Sequence, residues 1–170
     1  MPLELEIQNP ANYSNIPSQD NVIQWVDLAL SGGSAHDNDA TTTISVVLRI
    51  VDEAESQTLN HRYRHKNSPT NVLSFPFEMP QINQLNEDEN VSRHLGDLVL
   101  CAPIIEKEAL QQHKTLMQHW AHMVIHGMLH LQGYDHLEKA QAEEMESLEI
   151  SILEQLGFPD PYETNSVTNR

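Results

Sequence analysis

Three histidines at regular offsets, His126, His130 and His136, constrain the fold of this chain more than any other feature. Residues four apart in an α-helix lie one turn apart on the same face, so His126 and His130 can point at a common atom. Gly133 lets the backbone leave the helix in a left-handed conformation, and His136 can then turn back toward the pair. The spacing therefore predicts a helix, a tight turn and three converging imidazoles.

Three neutral imidazoles in this arrangement predict a zinc site whose fourth position is open, as in catalytic zinc sites. Structural zinc sites are usually closed by a fourth protein ligand, commonly a cysteine, and this chain has a single cysteine, Cys101. The pattern therefore excludes a thiolate-rich structural site and favours one catalytic Zn²⁺ ion per chain. The alternative is a histidine-rich helix without a metal, because ten histidines in 170 residues make chance pairs common.

His119 and His122 extend the histidine stripe toward the N-terminus of the same helix. His122 lies eight residues before His130, which is roughly 12 Å along a helix axis. Zinc–nitrogen bonds of about 2.0–2.1 Å cannot span that separation. We therefore expect His126 to be the partner of His130. For His119 and His122 we favour polar or partly buried packing roles, with His122 a candidate to support a ligand.

The composition is that of one ordinary soluble domain, with 39% hydrophobic residues in 170. No apolar run approaches the roughly 18 residues of a membrane span. The acidic start, M-P-L-E-L-E-I, lacks the basic and apolar regions of a secretory signal. With one cysteine there can be no internal disulfide, which agrees with a reducing compartment. We therefore expect a cytoplasmic protein without a membrane partner.

The net charge of −16 argues against a general nucleic-acid binder, which would show a basic surface. The charge is unevenly distributed, however. Arg62, Arg64 and Lys66 fall within five residues, whereas residues 138–163 hold eight acids and one basic residue. A local basic patch can contact phosphates while the acidic remainder suppresses loose binding elsewhere. The alternative is an ordinary solvated helix end.

The pattern along the chain predicts an α+β fold in one domain, residues 1–157, with a frayed tail at 158–170. Alternating or β-branched segments predict about four strands, at residues 3–9, 41–51, 71–77 and 97–102. Amphipathic segments predict helices at residues 20–31, 52–63 and 138–156, and between Pro103 and Leu131 either one long helix or two joined near His113. The polar residues 81–94 are predicted to be a mobile loop or hairpin tip. We expect a mixed sheet packed with helices, with the metal site on a long helix and the turn that follows it.

The histidine and glycine offsets equal those of the metalloprotease motif H-E-x-x-H-x-x-G-x-x-H. In that motif a glutamate directly after the first histidine takes the proton from water on the zinc, and here the position is Gly127. Peptide hydrolysis by that route is therefore disfavoured. Phosphodiester cleavage needs a donor for the charge on the phosphate oxygens. The cluster of Arg62, Arg64 and Lys66 supplies such donors, and the planar, charged guanidinium of arginine suits that role.

Several motifs together resemble one family. Besides H-G-M-L-H-L-Q-G-Y-D-H at 126–136, the chain carries L-N-x-x-Y-R at 59–64, P-T-N-V-L-S-F at 69–75 and G-D at 96–97. This set is similar to the YbeY-type endoribonucleases, which are bacterial ribosomal-RNA maturation factors. The resemblance implies a cytoplasmic, zinc-dependent, single-strand-specific endoribonuclease that matures the 3′ end of small-subunit (16S) ribosomal RNA and serves ribosome quality control. On matching positions it implies zinc ligands at His126, His130 and His136, and an RNA-contacting role for Arg64.

One position departs from the family pattern. Where the family often has aspartate in T-D-V-L-S-F, this chain has Asn71, so a role that needs negative charge is in doubt, although hydrogen bonds in a turn remain. Two other roles stay open at this point. Arg64 either contacts phosphate or pairs with an acid such as Glu53 or Asp97. Asp135 either orients a histidine or lies on the surface of the turn.

We expect RNA to lie in a groove between the zinc helix and the segment around Arg64. The attacking group is either a water or the neighbouring 2′-hydroxyl, and the sequence identifies no general base. Two other classes of protein compete with this interpretation. One is a ribosome-assembly factor with a structural metal and little nuclease activity, whose acidic surface engages basic ribosomal proteins. The other is a metalloprotease remnant, which would hydrolyse peptides.

Overall fold

The computed structural model describes residues 2–33, 42–77 and 92–163. Within these ranges the secondary structure is α+β, as predicted. The elements in chain order are β1 (Leu3–Gln8), α1 (Gln19–Gly32), β2 (Thr43–Val51), α2 (Glu53–Arg64), β3 (Val72–Pro76), β4 (Ser92–Cys101), α3 (Ala102–Gln111), α4 (Leu116–Leu131) and α5 (Lys139–Gln155). No helix in the described part combines the length and the apolar character that a membrane span needs.

The sheet is mixed, and its strand order is β1-β2-β4-β3. Strands β1, β2 and β4 run parallel, and β3 pairs antiparallel with β4. Parallel neighbours need a crossover, which α1 supplies between β1 and β2. Alternate residues of β2 point to one face, where they are each 1% exposed: Ile44, Val46, Leu48 and Ile50. The β-branched run predicted as a strand thus forms the centre of the sheet.

Helix α4 packs at the centre of the helical layer, against the sheet and against α1, α3 and α5. Its side chains at Trp120, Val124, Ile125, Met128 and Leu129 are at most 1% exposed. A smaller cluster on the opposite face of the sheet contains Leu73, Val99 and Cys101, with Leu59 of α2 packed against it. The helix that carries four of the histidines is therefore fixed from several sides.

Gly127 lets α4 approach the sheet closely. A Cβ atom at this position would lie 2.8 Å from Cδ2 of Leu98 and 3.3 Å from Cγ2 of Val72. The Gly127 carbonyl also accepts a hydrogen bond of 3.2 Å from the hydroxyl of Ser74 on β3. The position that carries glutamate in the metalloprotease motif therefore faces the sheet and has no room for a side chain.

One boundary differs from the sequence predictions, and one alternative that they left open is decided by the structure. Strand β4 begins at Ser92 rather than near Asp97, because residues 93–97 pair with β2 and, in part, with β3. The predicted loop at 81–94 was therefore wrong for its last three residues, and the rest of it lies outside the described residues. Between Pro103 and Leu131 there are two helices, the second of the alternatives that the sequence left open. They are separated at His113, which has a φ of 57°.

The predicted tail is described in part. Residues 164–170 lie outside the described residues. In the preceding segment, Phe158 packs against the main core, and the ammonium group of Lys114 donates a hydrogen bond of 3.0 Å to the carbonyl of Pro161. Residues 158–163 therefore contact the body of the domain.

The contacts of Gly127 predict that Gly127→Glu destabilises the fold by at least about 3 kcal/mol, because it overfills the helix–sheet contact and buries a charge without a partner. Urea unfolding measures this change in the free energy of unfolding. Ala140→Glu, at an exposed position of α5, is the matched control and should change it little. Equal stability of the two variants would contradict the packing argument.

Candidate metal centre

Helix α4 ends in a hydrogen-bonded turn that leads the chain back toward the histidine pair. The amide of Gly133 donates to the carbonyl of His130 at 3.0 Å, and the amide of Tyr134 donates to the carbonyl of Leu129 at 3.1 Å. These two bonds form a Schellman motif, which needs a left-handed residue after the helix. Gly133 occupies that position with a φ of 102°. The glycine thus ends the helix within reach of His136.

The rings of His126, His130 and His136 converge. The centroid of the His130 ring lies 4.6 Å from that of His126 and 5.2 Å from that of His136, and the remaining distance is 5.9 Å. One nitrogen from each ring lies within 4.8 Å of the other two. The Nε2 atoms of His126 and His130 are 3.1 Å apart, close to the roughly 3.3 Å between two nitrogens on one tetrahedral zinc. The donor set therefore fits a single metal ion.

Imidazoles must be neutral at the ligating nitrogen to bind a metal. Burial, together with the neighbouring His126 and His136, lowers the pKa of His130 to about 4. His130 is therefore neutral at pH 7. A metal ion can therefore bind this ring at pH 7 without first displacing a proton from it.

His136 is the most exposed member of the group, with 55% of its side chain accessible. Its backbone amide donates a hydrogen bond of 2.7 Å to Oδ1 of Asp135, whereas the ring nitrogen Nδ1 lies 3.8 Å from that oxygen. Asp135 therefore stabilises the backbone of the turn and does not hydrogen-bond the imidazole. Of the two roles left open, the turn role is the one that the structure shows.

The two remaining histidines of α4 are more fully buried than the polar or partly buried positions that were predicted, and each contacts an acid. Nε2 of His119 lies 2.9 Å from Oε1 of Glu108, and Nε2 of His122 lies 2.7 Å from Oε1 of Glu149. The exposed fractions of His119 and His122 are 2% and 7%. Both have a structural partner outside the convergent trio.

Glu149 of α5 is a residue that the sequence reasoning missed. It is 0% exposed, and its Oε1 lies 3.0 Å from Nδ1 of His126 as well as near His122. Burial raises the pKa of Glu149, but hydrogen bonds from His122 and His126 outweigh it and bring the pKa to about 2. A signal was present, since Glu149 lies four residues after Met145 and three before Ile152 on the apolar face of its helix. An acid on such a face needs partners inside the fold.

A cleft of about 810 Å³ runs between the turn after α4 and strand β3. Its walls include all three convergent histidines and, from the end of α2, Arg64. Arg64 is exposed, and within the described ranges it forms no ion pair with any acid. Neither pairing with Glu53 nor pairing with Asp97 is observed, and Asp97 instead contacts His94 at 2.8 Å.

The predicted basic cluster divides between two sides of α2. Arg64 lines the cleft, whereas Arg62 lines a separate cavity and lies with its guanidinium 6.0 Å from the ring centroid of Tyr63. Tyr63 and Phe75 also line the cleft, with their rings edge to face and 5.1 Å apart. Tyr63 is 57% exposed. The cleft therefore combines an exposed guanidinium, an accessible aromatic ring and a group of potential metal ligands.

Asn71 occupies the wall of this cleft and contacts an acid of α3. Its Nδ2 donates to the two carboxylate oxygens of Glu108 at 3.1 and 3.3 Å, and its Oδ1 accepts a bond of 2.7 Å from the amide of Val72. An aspartate here would place a second carboxylate against Glu108, and it would lack the Nδ2 group that now donates to Glu108. The neutral amide therefore has a structural role that suits this environment.

Two comparisons with known proteins extend these observations. A family model described as Endoribonuclease YbeY matches residues 6–157. Among solved structures, the solution structure of TM1509 from Thermotoga maritima is similar, with a TM-score of 0.53 and 23% sequence identity. That similarity covers 91% of this chain and 92% of the other. At this level of identity, the structural match supports the fold alone.

The contact between Asn71 and Glu108 predicts a pH-dependent effect of Asn71→Asp. Two facing carboxylates raise the folded-state pKa of one of them above its unfolded value. The substitution should therefore lower the free energy of unfolding little at or below about pH 4, which is the carboxyl pKa in the unfolded chain. The loss should grow as the pH rises from there through the raised pKa of the folded state. Urea unfolding at pH 4 and pH 7 measures it.

The control for this prediction is Asn67→Asp, which adds the same charge at an exposed position where the side-chain oxygen accepts a bond from Gln57. We expect that variant to show little change between the two pH values. A destabilisation of Asn71→Asp that does not depend on pH would contradict the role assigned to Glu108.

Proposed function

The chain belongs to the YbeY endoribonuclease family, and from this membership and the geometry of the cleft we propose that it is a zinc-dependent enzyme that cuts single-stranded RNA. Family membership makes it an endoribonuclease of ribosomal-RNA maturation. The proposal adds zinc, single-strand specificity, maturation of the 3′ end of small-subunit (16S) ribosomal RNA, a part in ribosome quality control and a cytoplasmic location. We assign the activity to the domain of residues 1–157 predicted from the sequence. The observation that carries the proposal is that three imidazoles line one cleft with an arginine that forms no ion pair with any described acid.

His126, His130 and His136 would hold the zinc ion. Among the described residues no fourth histidine, cysteine or acid joins this group, so these three ligands would leave a coordination position for chemistry. When bound, zinc supplies a Lewis acid that can polarise a phosphoryl oxygen or lower the pKa of water. The protein supplies neutral, pre-positioned nitrogens on a buried helix.

Arg64 would bind the phosphate of the RNA. A guanidinium presents a planar fork of charged donors that matches phosphate oxygens. Arg64 lines the cleft wall, and no ion pair with a described acid has to be broken when RNA binds. The side chain therefore holds the substrate against the metal-binding side of the cleft.

Aromatic side chains of the cleft support the preference for single strands. Unpaired bases can leave their stack and lie on aromatic rings, whereas bases within a duplex cannot. Tyr63 offers an exposed ring beside Arg64, and Phe75 packs edge-on against it. A sugar–phosphate backbone bound by Arg64 would bring a neighbouring base to this ring.

The acidic surface suits protein partners rather than further nucleic acid. Helix α5 carries exposed acids at Glu143, Glu144 and Glu154. The negative potential of this surface attracts basic partners, and it repels RNA from the parts of the protein outside the cleft. We propose that basic ribosomal proteins bind this surface and bring the enzyme to its substrate.

Loss of a proposed ligand should abolish both zinc binding and cleavage. We expect His130→Ala to lose its zinc and at least about 100-fold in the rate of cutting a single-stranded RNA, since even indirect support of a ligand is worth about 10–100-fold. Chelation of the native protein should stop cleavage, and added zinc should restore it. Elemental analysis beside the cleavage assay measures both.

The matched control is His113→Asn, an exposed histidine whose left-handed backbone asparagine tolerates. It should keep both zinc and activity. The endoribonuclease assignment with a catalytic metal fails if His130→Ala cuts RNA as fast as the native protein. The assembly-factor alternative predicts that native protein retains zinc but cuts poorly.

The two arginines of α2 should differ in their effect on cleavage. We expect Arg64→Ala to lower kcat/KM for RNA by roughly 10-fold or more, because a hydrogen bond to a charged group is lost in the transition state, and to leave zinc content unchanged. Arg64→Lys should lower kcat/KM less than Arg64→Ala but should not reach the native value, since an ammonium group lacks the planar fork of donors. Arg62→Ala, outside the cleft, is the control. Equal losses for Arg62→Ala and Arg64→Ala would show that only general charge attraction is involved.

A further inference from the structure

We propose that Glu149 and Tyr162 are positioning residues for the metal ligand His126. A buried carboxylate, held in place by a tyrosine from the segment 158–163, fixes the orientation and the proton position of that imidazole. The inference rests on the proposed function only in that His126 binds a metal ion. Glu149 and Tyr162 would orient the His126 imidazole already in the protein that holds neither metal nor RNA.

The two nitrogens of His126 contact different partners. Nδ1 lies 3.0 Å from Oε1 of Glu149, and Nε2 lies 3.1 Å from Nε2 of His130. An ionised carboxylate can only accept hydrogen bonds, so Nδ1 must carry a proton. In the neutral ring Nε2 then keeps its lone pair and points toward the other two ligands. A carboxylate behind a ligating imidazole commonly orients the ring in this way and strengthens it as a ligand.

Glu149 is held by two further donors. Oε1 lies 2.7 Å from Nε2 of His122, and the hydroxyl of Tyr162 donates to Oε1 at 2.9 Å and to Oε2 at 3.0 Å. A buried charge without such partners would be very costly, and here each carboxylate oxygen has at least one donor. The carboxylate therefore has a well-defined position from which it can orient His126.

Tyr162 reaches Glu149 because the chain folds back after α5. Phe158 packs against the main core, Lys114 binds the carbonyl of Pro161, and the amide of Tyr162 donates to Oδ1 of Asp160 at 2.8 Å. The ring centroid of Tyr162 lies 5.3 Å from that of His122. The proposed support of the metal centre therefore includes Tyr162, which lies beyond the domain 1–157 to which the activity is assigned.

A direct metal role for Glu149 is the competing interpretation. Ligand atoms of His122, His126 and Glu149 also lie within 4.8 Å of one another. The side chains of His122 and Glu149 are only 8% and 0% exposed, so this group is closed to a substrate. Nε2 of His122 and both carboxylate oxygens of Glu149 are already engaged in the hydrogen bonds described above. We therefore assign the group a supporting role, and the number of zinc ions per chain separates the two interpretations.

Zinc affinity of the full chain, measured by competition with a chromogenic chelator, tests the proposal. We expect Glu149→Gln to weaken zinc binding by about 10–100-fold, and Tyr162→Phe to weaken it by a smaller factor, about 3-fold or more. Glu143→Gln, at an exposed position of α5, and Tyr63→Phe, in the cleft but remote from Glu149, are the matched controls and should leave it unchanged. Urea unfolding of each zinc-free variant shows that it is folded.

A spectroscopic measurement separates positioning from mere support of the fold. Nitrogen NMR of histidine in the zinc-free native protein should show His126 protonated at Nδ1. In Glu149→Gln the amide no longer requires that proton, so the population of this tautomer should fall. Tyr162→Phe should keep the tautomer but broaden or shift its signal.

The outcomes are distinguishable. Native zinc affinity in both variants, or an unchanged His126 tautomer in Glu149→Gln, overturns the positioning role and leaves the proposed function intact. Two zinc ions per native chain, with one lost in Glu149→Gln, overturn it in favour of a direct ligand. A native protein that binds no zinc overturns the proposed metal site, and this inference with it.

Discussion

The packing of α4 against the sheet is the interaction on which the rest of the structure depends. Its side chains at Trp120, Val124, Ile125, Met128 and Leu129 are buried between β-strands and three other helices, and Gly127 permits the close approach at Leu98. A helix held on several sides cannot rotate or slide, because interiors are close-packed. His126 and His130 therefore emerge at the cleft with fixed backbones. Precise placement of ligands is easier on such an element than on a loop.

Acids from neighbouring helices sort the histidines of α4 into two kinds. Glu108 of α3 contacts His119, and Glu149 of α5 contacts His122 and the far side of His126. Among the described residues His130 has no hydrogen bond to an acid, and its surroundings lower its pKa to about 4. The acid behind His126 contacts Nδ1 and leaves Nε2 of that ring available for a metal, whereas the acids beside His119 and His122 contact the Nε2 atoms themselves. Which ring nitrogen the acid contacts thus distinguishes structural histidines from candidate ligands.

Local patterns gave reliable predictions where geometry depends on near neighbours. The β-branched run of β2 is a central strand, and the family proposed from four sequence motifs is confirmed by the family match over residues 6–157. Prediction was wrong at the start of β4, where the polar residues Arg93 and His94 belong to a strand. They are held there by pairing with β2, and no local preference signals such pairing. The choice between one helix and two near His113 was likewise open until the packing of α3 and α4 was known.

The sequence by itself determined the helical pair, the turn at Gly133 and the return of His136, because these follow from the 3.6-residue period and the freedom of one glycine. Only the tertiary structure decided that Glu149, 23 residues from His126, stands behind that ring. The same holds for the contact of Asn71 with Glu108 and for which arginine of α2 faces the cleft. These contacts join separate elements, so they depend on how helices and strands pack against one another. Spacing along the chain carries no information about that packing.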